Sequence, residues 1–150
     1  MYEQNSIPEQ FGIEIREMGL DASTSLSFKE IRRKDGVMVY RIIGPEKSYV
    51  MKYFIDNRNR REIRDYSILE ELGIPTIKVI GYTEKSILLE DINYSDIYRL
   101  GMPEDLCDEE VARLLAQWYR KLHDLGDEYL KRTGINLYRE TDMLTYENMG

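Results

Sequence analysis

Val37 to Ile43 is an apolar run enclosed by two turn signals, Asp35-Gly36 before it and Gly44-Pro45 after it, and this punctuation limits the fold more than any other feature. Asp-Gly supplies the positive-φ residues of a tight hairpin, and proline cannot donate to a strand ladder. Upstream, Leu26, Phe28 and Glu30 alternate with Ser27, Lys29 and Ile31 as in a half-buried strand. Downstream, Ser48 to Phe54 reads as a third strand. Strands joined by turns this short run antiparallel, so the segment is a meander.

The period then changes. Ile63, Tyr66, Leu69 and Leu72 recur at helical spacing, which predicts a helix from about Asn59 to Leu72, stopped by Gly73 and Pro75. Two further strands are expected at Thr76–Ile80 and Ser86–Leu89, separated by Gly81 to Lys85. The expected fold is α+β: a five-stranded antiparallel sheet with one helix inserted after the third strand, followed by a helical segment. In that segment Val111, Leu114, Leu115, Trp118, Leu122 and Leu125 make an apolar stripe, with Gly126 expected to end the helix. Such a stripe needs a partner surface, and self-association through 111–125 is one way to supply it. Residues 1–24 are weakly patterned, with Ile13, Ile15 and Met18 expected in a short strand or turn. The tail from Asp127 shows no clean period and is expected to be the start of a larger unit. The sequence divides at a hinge, into residues 1–92 and 93–150.

Charge and cysteine usage narrow the function. With 28 acids against 21 bases the net charge is −7, which opposes a broad polyphosphate surface and excludes nucleic acid as the expected partner. A single cysteine, Cys107, rules out a disulfide framework, and a single histidine, His123, leaves too few ligands for zinc. No apolar run is long enough to span a membrane and the N-terminus does not read as a signal peptide, so a reducing, cytoplasmic setting is expected.

One residue in the third strand is out of place. Lys52 lies mid-strand in Tyr49-Val50-Met51-Lys52-Tyr53-Phe54, where a charge is costly without a partner or ligand. Strand alternation puts Val50, Lys52 and Phe54 on one face and Tyr49, Met51 and Tyr53 on the other. Ten positions later Glu62 opens the helix in line with Tyr66 and Leu69, and so is aimed at the sheet. Taken singly, Lys52 reads as a strand lysine with its tip in water, and Glu62 as a first-turn acid complementing the helix dipole. Taken together, in strand–helix order, they read as a lysine held ready for phosphate.

Four segments in this order resemble the N-terminal lobe of the aminoglycoside phosphotransferase and choline-kinase-like family, relatives of the protein kinases. They are YVMKYF, RREIRDYSILEELGIPTIKVIGYT, SILLEDI and LLAQWYRKLHDLG, and the likeness covers about Leu26 to Gly126. It implies that Lys52 contacts the phosphates of ATP or GTP and that Glu62 pairs with it. It implies that Val50 lines the adenine ceiling, and that the backbone of Leu89, Glu90, Asp91 and Ile92 forms a hinge meeting the base edge. Arg33 to Val37 would cover the phosphates, although Gly36 is the only glycine there.

The implied activity is transfer of the γ-phosphate to a hydroxyl of an aminoglycoside-like or other small metabolite, with Mg2+ as cofactor. The family's H-x-D loop, its following asparagine and its metal-binding aspartate are not found in this sequence; His123-Asp124-Leu125-Gly126-Asp127 and Asn136 have the composition without the spacing. His123 is expected to be a packed or hydrogen-bonded helix residue. Glu140, Asp142 and Glu147 read as solvated charges, or as acceptor-site acids in a complete enzyme. The expectation is therefore the front portion of a kinase, with no catalytic residue of its own and with metal ligands and acceptor site in a C-terminal lobe. Two readings compete: a degenerate lobe acting as a non-catalytic interaction module, and an α+β domain whose likeness to kinases is accidental.

Overall fold

A computed structural model describes residues 9–21 and 25–135 of the chain. The fold is α+β, as expected. The chain forms two compact units, Met1–Met102 and Pro103–Gly150. The capped 3-10 turn Ile92–Tyr94, where Asp91 accepts from the Asn93 N–H, lies within the first unit.

The first unit is built on five strands: β1 (Ser27–Lys34), β2 (Val37–Ile43), β3 (Ser48–Phe54), β4 (Val79–Tyr82) and β5 (Ser86–Glu90). They pair antiparallel in the order β1-β2-β3-β5-β4, which makes β3 the central strand. β2 and β3 occupy the spans that the turn signals predict. β4 begins three residues late, at Val79; before it Ile77 packs against the sheet and the Lys78 carbonyl accepts from the Glu90 N–H. Ile31 is a bulge residue between Glu30 and Arg32, which breaks the simple alternation expected for β1.

Each face of the sheet is covered by one helix. On one side lies α1 (Glu9–Glu17), where the sequence predicted a strand or turn around Ile13 and Ile15. Phe11, Ile15 and Met18 recur at helical spacing and bury against Met38, Tyr40, Ile42, Met51 and Leu88, while Ile13 points out at 58% exposure. A helix this short is not stable alone, and burying each of these three side chains contributes about 1.5–3 kcal/mol. Phe11 also meets Tyr40 and Tyr53 edge-on or tilted, with ring centroids 5.1 Å apart in both pairs. Glu14 accepts from the Thr83 hydroxyl at 2.5 Å and from the Ser86 hydroxyl, which fastens α1 to the β4–β5 turn.

On the other side lies α2 (Arg61–Glu71), preceded by a 3-10 turn at Asn57–Arg60. Ile63 and Tyr66 pack against Phe54, Ile87, Leu89, Val37, Val50, Ile77 and Val79. The two clusters confirm the alternation in β3: Val50 and Phe54 face α2, and Tyr49, Met51 and Tyr53 face α1.

The second unit contains one long helix, α3 (Glu109–Thr133). Asp108 caps its start by accepting from the N–H groups of Glu110 and Val111. Gly126 does not end it. A mid-helix glycine costs only about 1 kcal/mol, and the apolar stripe carries on to Tyr129, which is buried. The stop is Gly134, left-handed at φ 66°, with its N–H bonded to the Leu130 carbonyl. Val111, Leu114, Leu115 and Tyr119 remain exposed on this helix. No helix among the described residues is long and apolar enough to cross a membrane.

Candidate functional site

Lys52 stands at the centre of the sheet, paired across β2 with Val39 and across β5 with Ile87, on the face that α2 covers. Glu62 sits in the first turn of α2, and its Oε1 accepts from Lys52 Nζ at 2.5 Å. The two side chains are 27% and 35% exposed, so the pair is partly desolvated yet open on one side. Strand alternation fixes where the lysine points, and the packing of Ile63 and Tyr66 fixes where the glutamate points. Tyr66 lies one helical turn beyond Glu62. Burial raises its phenol above the ordinary tyrosine range, opposed by the Lys52 charge and assisted by Glu62. An ammonium has three N–H donors. One is given to Glu62 and the remaining two are free to face an oxyanion, with the carboxylate holding the direction.

A second polar cluster lies farther along the same face and was not anticipated. Arg41 on β2 is directly opposite Val50, and its Nε donates to Asp91 Oδ2 at 2.7 Å. Ser48 Oγ donates to the same oxygen at 2.9 Å, and the Asn93 N–H donates to Oδ1 at 3.2 Å. Asp91 is only 6% exposed. Its carboxylate therefore draws together β2, β3 and the end of β5, and a buried carboxylate is stable there because each oxygen is met by a donor.

The expected hinge residues fall at this end of the sheet. Leu89 is buried between Val50 and Val79. The Glu90 N–H donates to the Lys78 carbonyl, and Glu90 Oε1 accepts from the Lys78 N–H at 2.9 Å. The carbonyls of Asp91 and Ile92 accept from the N–H groups of Tyr94 and Ser95 at 3.1 Å in both cases, which leaves each a second lone pair. Val50 is brought beside the hinge, whereas Gly36 is tied to another part of the chain. The Gly36 carbonyl accepts from the N–H groups of Ile55 and Asp56 at 2.8 and 3.3 Å, and Asn59 Nδ2 donates to the Asp35 carbonyl at 2.7 Å. Gly36 has φ +77°, and a Cβ there would lie 2.7 Å from that of Asp56. This close approach accounts for the glycine through packing alone.

Beside this turn, Asp56 is held down to a pKa of about 2 by hydrogen bonds from the Arg58 side chain and N–H. Asp65, on α2, is pushed above the usual carboxylate range by burial, against the opposing pull of Arg64 and Arg61. Its Oδ1 is buried with no hydrogen-bond partner, and Arg64 approaches only to 3.7 Å. His123, expected to be a packed or hydrogen-bonded helix residue, is exposed on α3 and so is not packed. Asn136, Glu140, Asp142 and Glu147 lie outside the described residues. Among the described residues no group of three or more His, Cys, Asp or Glu side chains could hold a metal ion.

Arg41, Ser48 and Tyr66 are the site residues that sequence reasoning missed. Arg41 carried one signal, a charge at mid-strand like that of Lys52, but its partner is 50 positions away. No protein-family model matches the chain, and no curated protein matches its sequence.

Proposed function

We propose that the sheet-bearing unit is the nucleotide-binding lobe of an ATP- or GTP-dependent small-molecule kinase, acting on a hydroxyl of an aminoglycoside-like or other small metabolite. The observation that carries this reading is the 2.5 Å Lys52–Glu62 pair spanning central strand and inserted helix. A lysine aimed by a neighbouring carboxylate in a partly dry site suits a phosphate oxygen. The nucleotide fits these residues: Lys52 for the phosphates, Glu62 to orient it, Val50 against the base, and the Leu89–Ile92 backbone along the base edge. In this reading the turn with Gly36 would cover the phosphates through its N–H groups, while the Gly36 carbonyl is held by the Ile55 and Asp56 N–H groups. Mg2+ would accompany the phosphates and neutralise their charge. The described residues supply no ligand set for it, so in this reading the metal ligands and the acceptor site belong to a catalytic lobe.

The test is titration of the 15N-labelled chain with Mg·ATP and Mg·GTP, followed by NMR at Val50, Lys52 and Leu89. Saturable shifts that disappear in Lys52→Ala, with the fold retained, are the expected result. Absence of any shift in the wild-type chain at millimolar nucleotide would overturn the assignment. Glu62→Gln is expected to weaken binding less than Lys52→Ala, because it disturbs the aim of the ammonium and leaves its charge. A second reading, a non-catalytic interaction module, draws on a different observation: Val111, Leu114, Leu115 and Tyr119 are exposed along α3. Dependence of the sedimentation coefficient on protein concentration, lost in Leu114→Glu, would favour it.

A further inference from the structure

Arg41 is the least explained group on the face that carries Lys52. Its Nε is committed to Asp91, yet its two terminal nitrogens have no hydrogen-bond partner among the described residues, although the side chain is only 20% exposed. Ser48 and the Asn93 N–H complete the Asp91 carboxylate, so the guanidinium is held from behind by a fixed, buried anchor. The register sets Arg41 beside Val50, and the anchor sets it beside the segment 89–92. An uncommitted donor edge in a partly dry site is a place for acceptor atoms.

We infer that Arg41 reads the base of the bound nucleotide and selects guanine over adenine. The inference rests on the reading above, in which Val50 and the Leu89–Ile92 backbone receive the base. A guanidinium carries donors and no acceptor. Guanine offers the O6 and N7 acceptors side by side, the pair that arginine engages with two parallel hydrogen bonds. Adenine places an amino group where guanine has O6, so donor would face donor. Asp91 makes the discrimination rigid, because the Nε bond fixes the plane of the guanidinium before any ligand arrives.

The experiment is titration of the 15N-labelled 150-residue chain with Mg·GTP, Mg·ITP and Mg·ATP. Inosine keeps O6 and N7 and lacks the 2-amino group, so it isolates the atoms that Arg41 is inferred to contact. GTP and ITP are expected to bind with similar Kd, tighter than ATP by about five- to a hundredfold. Arg41→Lys keeps a cation beside Asp91 and loses the two-pronged edge, so the preference should collapse to near unity. If that variant does not fold, Arg41→Met combined with Asp91→Asn removes both charges together and should collapse the preference likewise. ATP binding as tightly as GTP in the wild-type chain overturns the inference and leaves the nucleotide site standing. A guanine preference that survives in both variants overturns the role of Arg41. No binding of any of the three nucleotides at about 10 mM, weaker than any specific affinity, overturns the nucleotide site itself and this inference with it.

Discussion

Replacing Asp91 with alanine should be among the most damaging single substitutions in the first unit. The carboxylate is 6% exposed and accepts three hydrogen bonds, from Arg41, Ser48 and the Asn93 N–H. Removing one member of a buried ion pair costs about 3–5 kcal/mol, because the other charge is left uncompensated. Two features reduce that figure. Arg41 retains 20% exposure and can recruit water, and Ser48 Oγ keeps a bond to the Ile42 carbonyl at 3.3 Å. Loss of the cap on the Ile92–Tyr94 turn adds a smaller term, typically about 1 kcal/mol. The expected total is about 3 kcal/mol, equivalent to a fall in Tm of the order of 10–20 °C for a domain near 100 residues. Urea unfolding followed by tyrosine fluorescence would measure it. A double-mutant cycle gives the sharper check: once Arg41→Met has removed the cation, Asp91→Asn should cost less than about 1 kcal/mol. A single-mutant cost below about 0.5 kcal/mol, or strict additivity in the cycle, would refute the claim that this cluster fastens the three strands.

Three other outcomes are expected. Gly126→Ala should stabilise the second unit by about 1 kcal/mol, since Gly126 is interior to α3 with nothing within 4 Å of an added Cβ; a loss of helicity by circular dichroism would contradict this. Gly36→Ala should destabilise the first unit by about 1–3 kcal/mol, from positive φ and the contact with Asp56, and chemical denaturation would read the change. Asp65→Asn should stabilise near neutral pH by less than about 1 kcal/mol, a figure reduced for an aspartate that is about half exposed. The sign follows from the raised folded pKa. The wild-type penalty is absent below the ordinary carboxylate pKa and grows as pH rises through the folded value, so the gain should vanish in unfolding measured near pH 3, about a unit below that ordinary value.

Legibility in the sequence tracked how local the determining interactions are. β2 and β3 were readable because turn residues bound them on each side and their alternation is uninterrupted. The Lys52–Glu62 pair was readable because strand and helix follow one another directly, so alternation and helical spacing aim both side chains. α1 was not anticipated, even though Phe11, Ile15 and Met18 have helical spacing. Few apolar residues mark it, and its stability comes from the distant surface of Met38, Tyr40, Ile42 and Met51. The sequence understates the length of α3 because Gly126 reads as a stop, whereas the left-handed cap lies eight residues on at Gly134. The Arg41–Asp91–Ser48 cluster was invisible for a simpler reason. It exists only once the sheet is assembled, and nothing in the sequence around Arg41 marks a partner 50 residues away.

The latch between the Asp35–Gly36 turn and the stretch from Ile55 to Asn59 has a mechanical consequence. The tip of the first hairpin and the root of α2 are joined by three hydrogen bonds and a contact too close for any side chain on Gly36. An outward swing of α2 that draws Glu62 off Lys52 must therefore either drag the hairpin tip along or break that join. The sheet thus acts as a spring on the helix, and stiffness in a surface turn sets how readily the central cation is released.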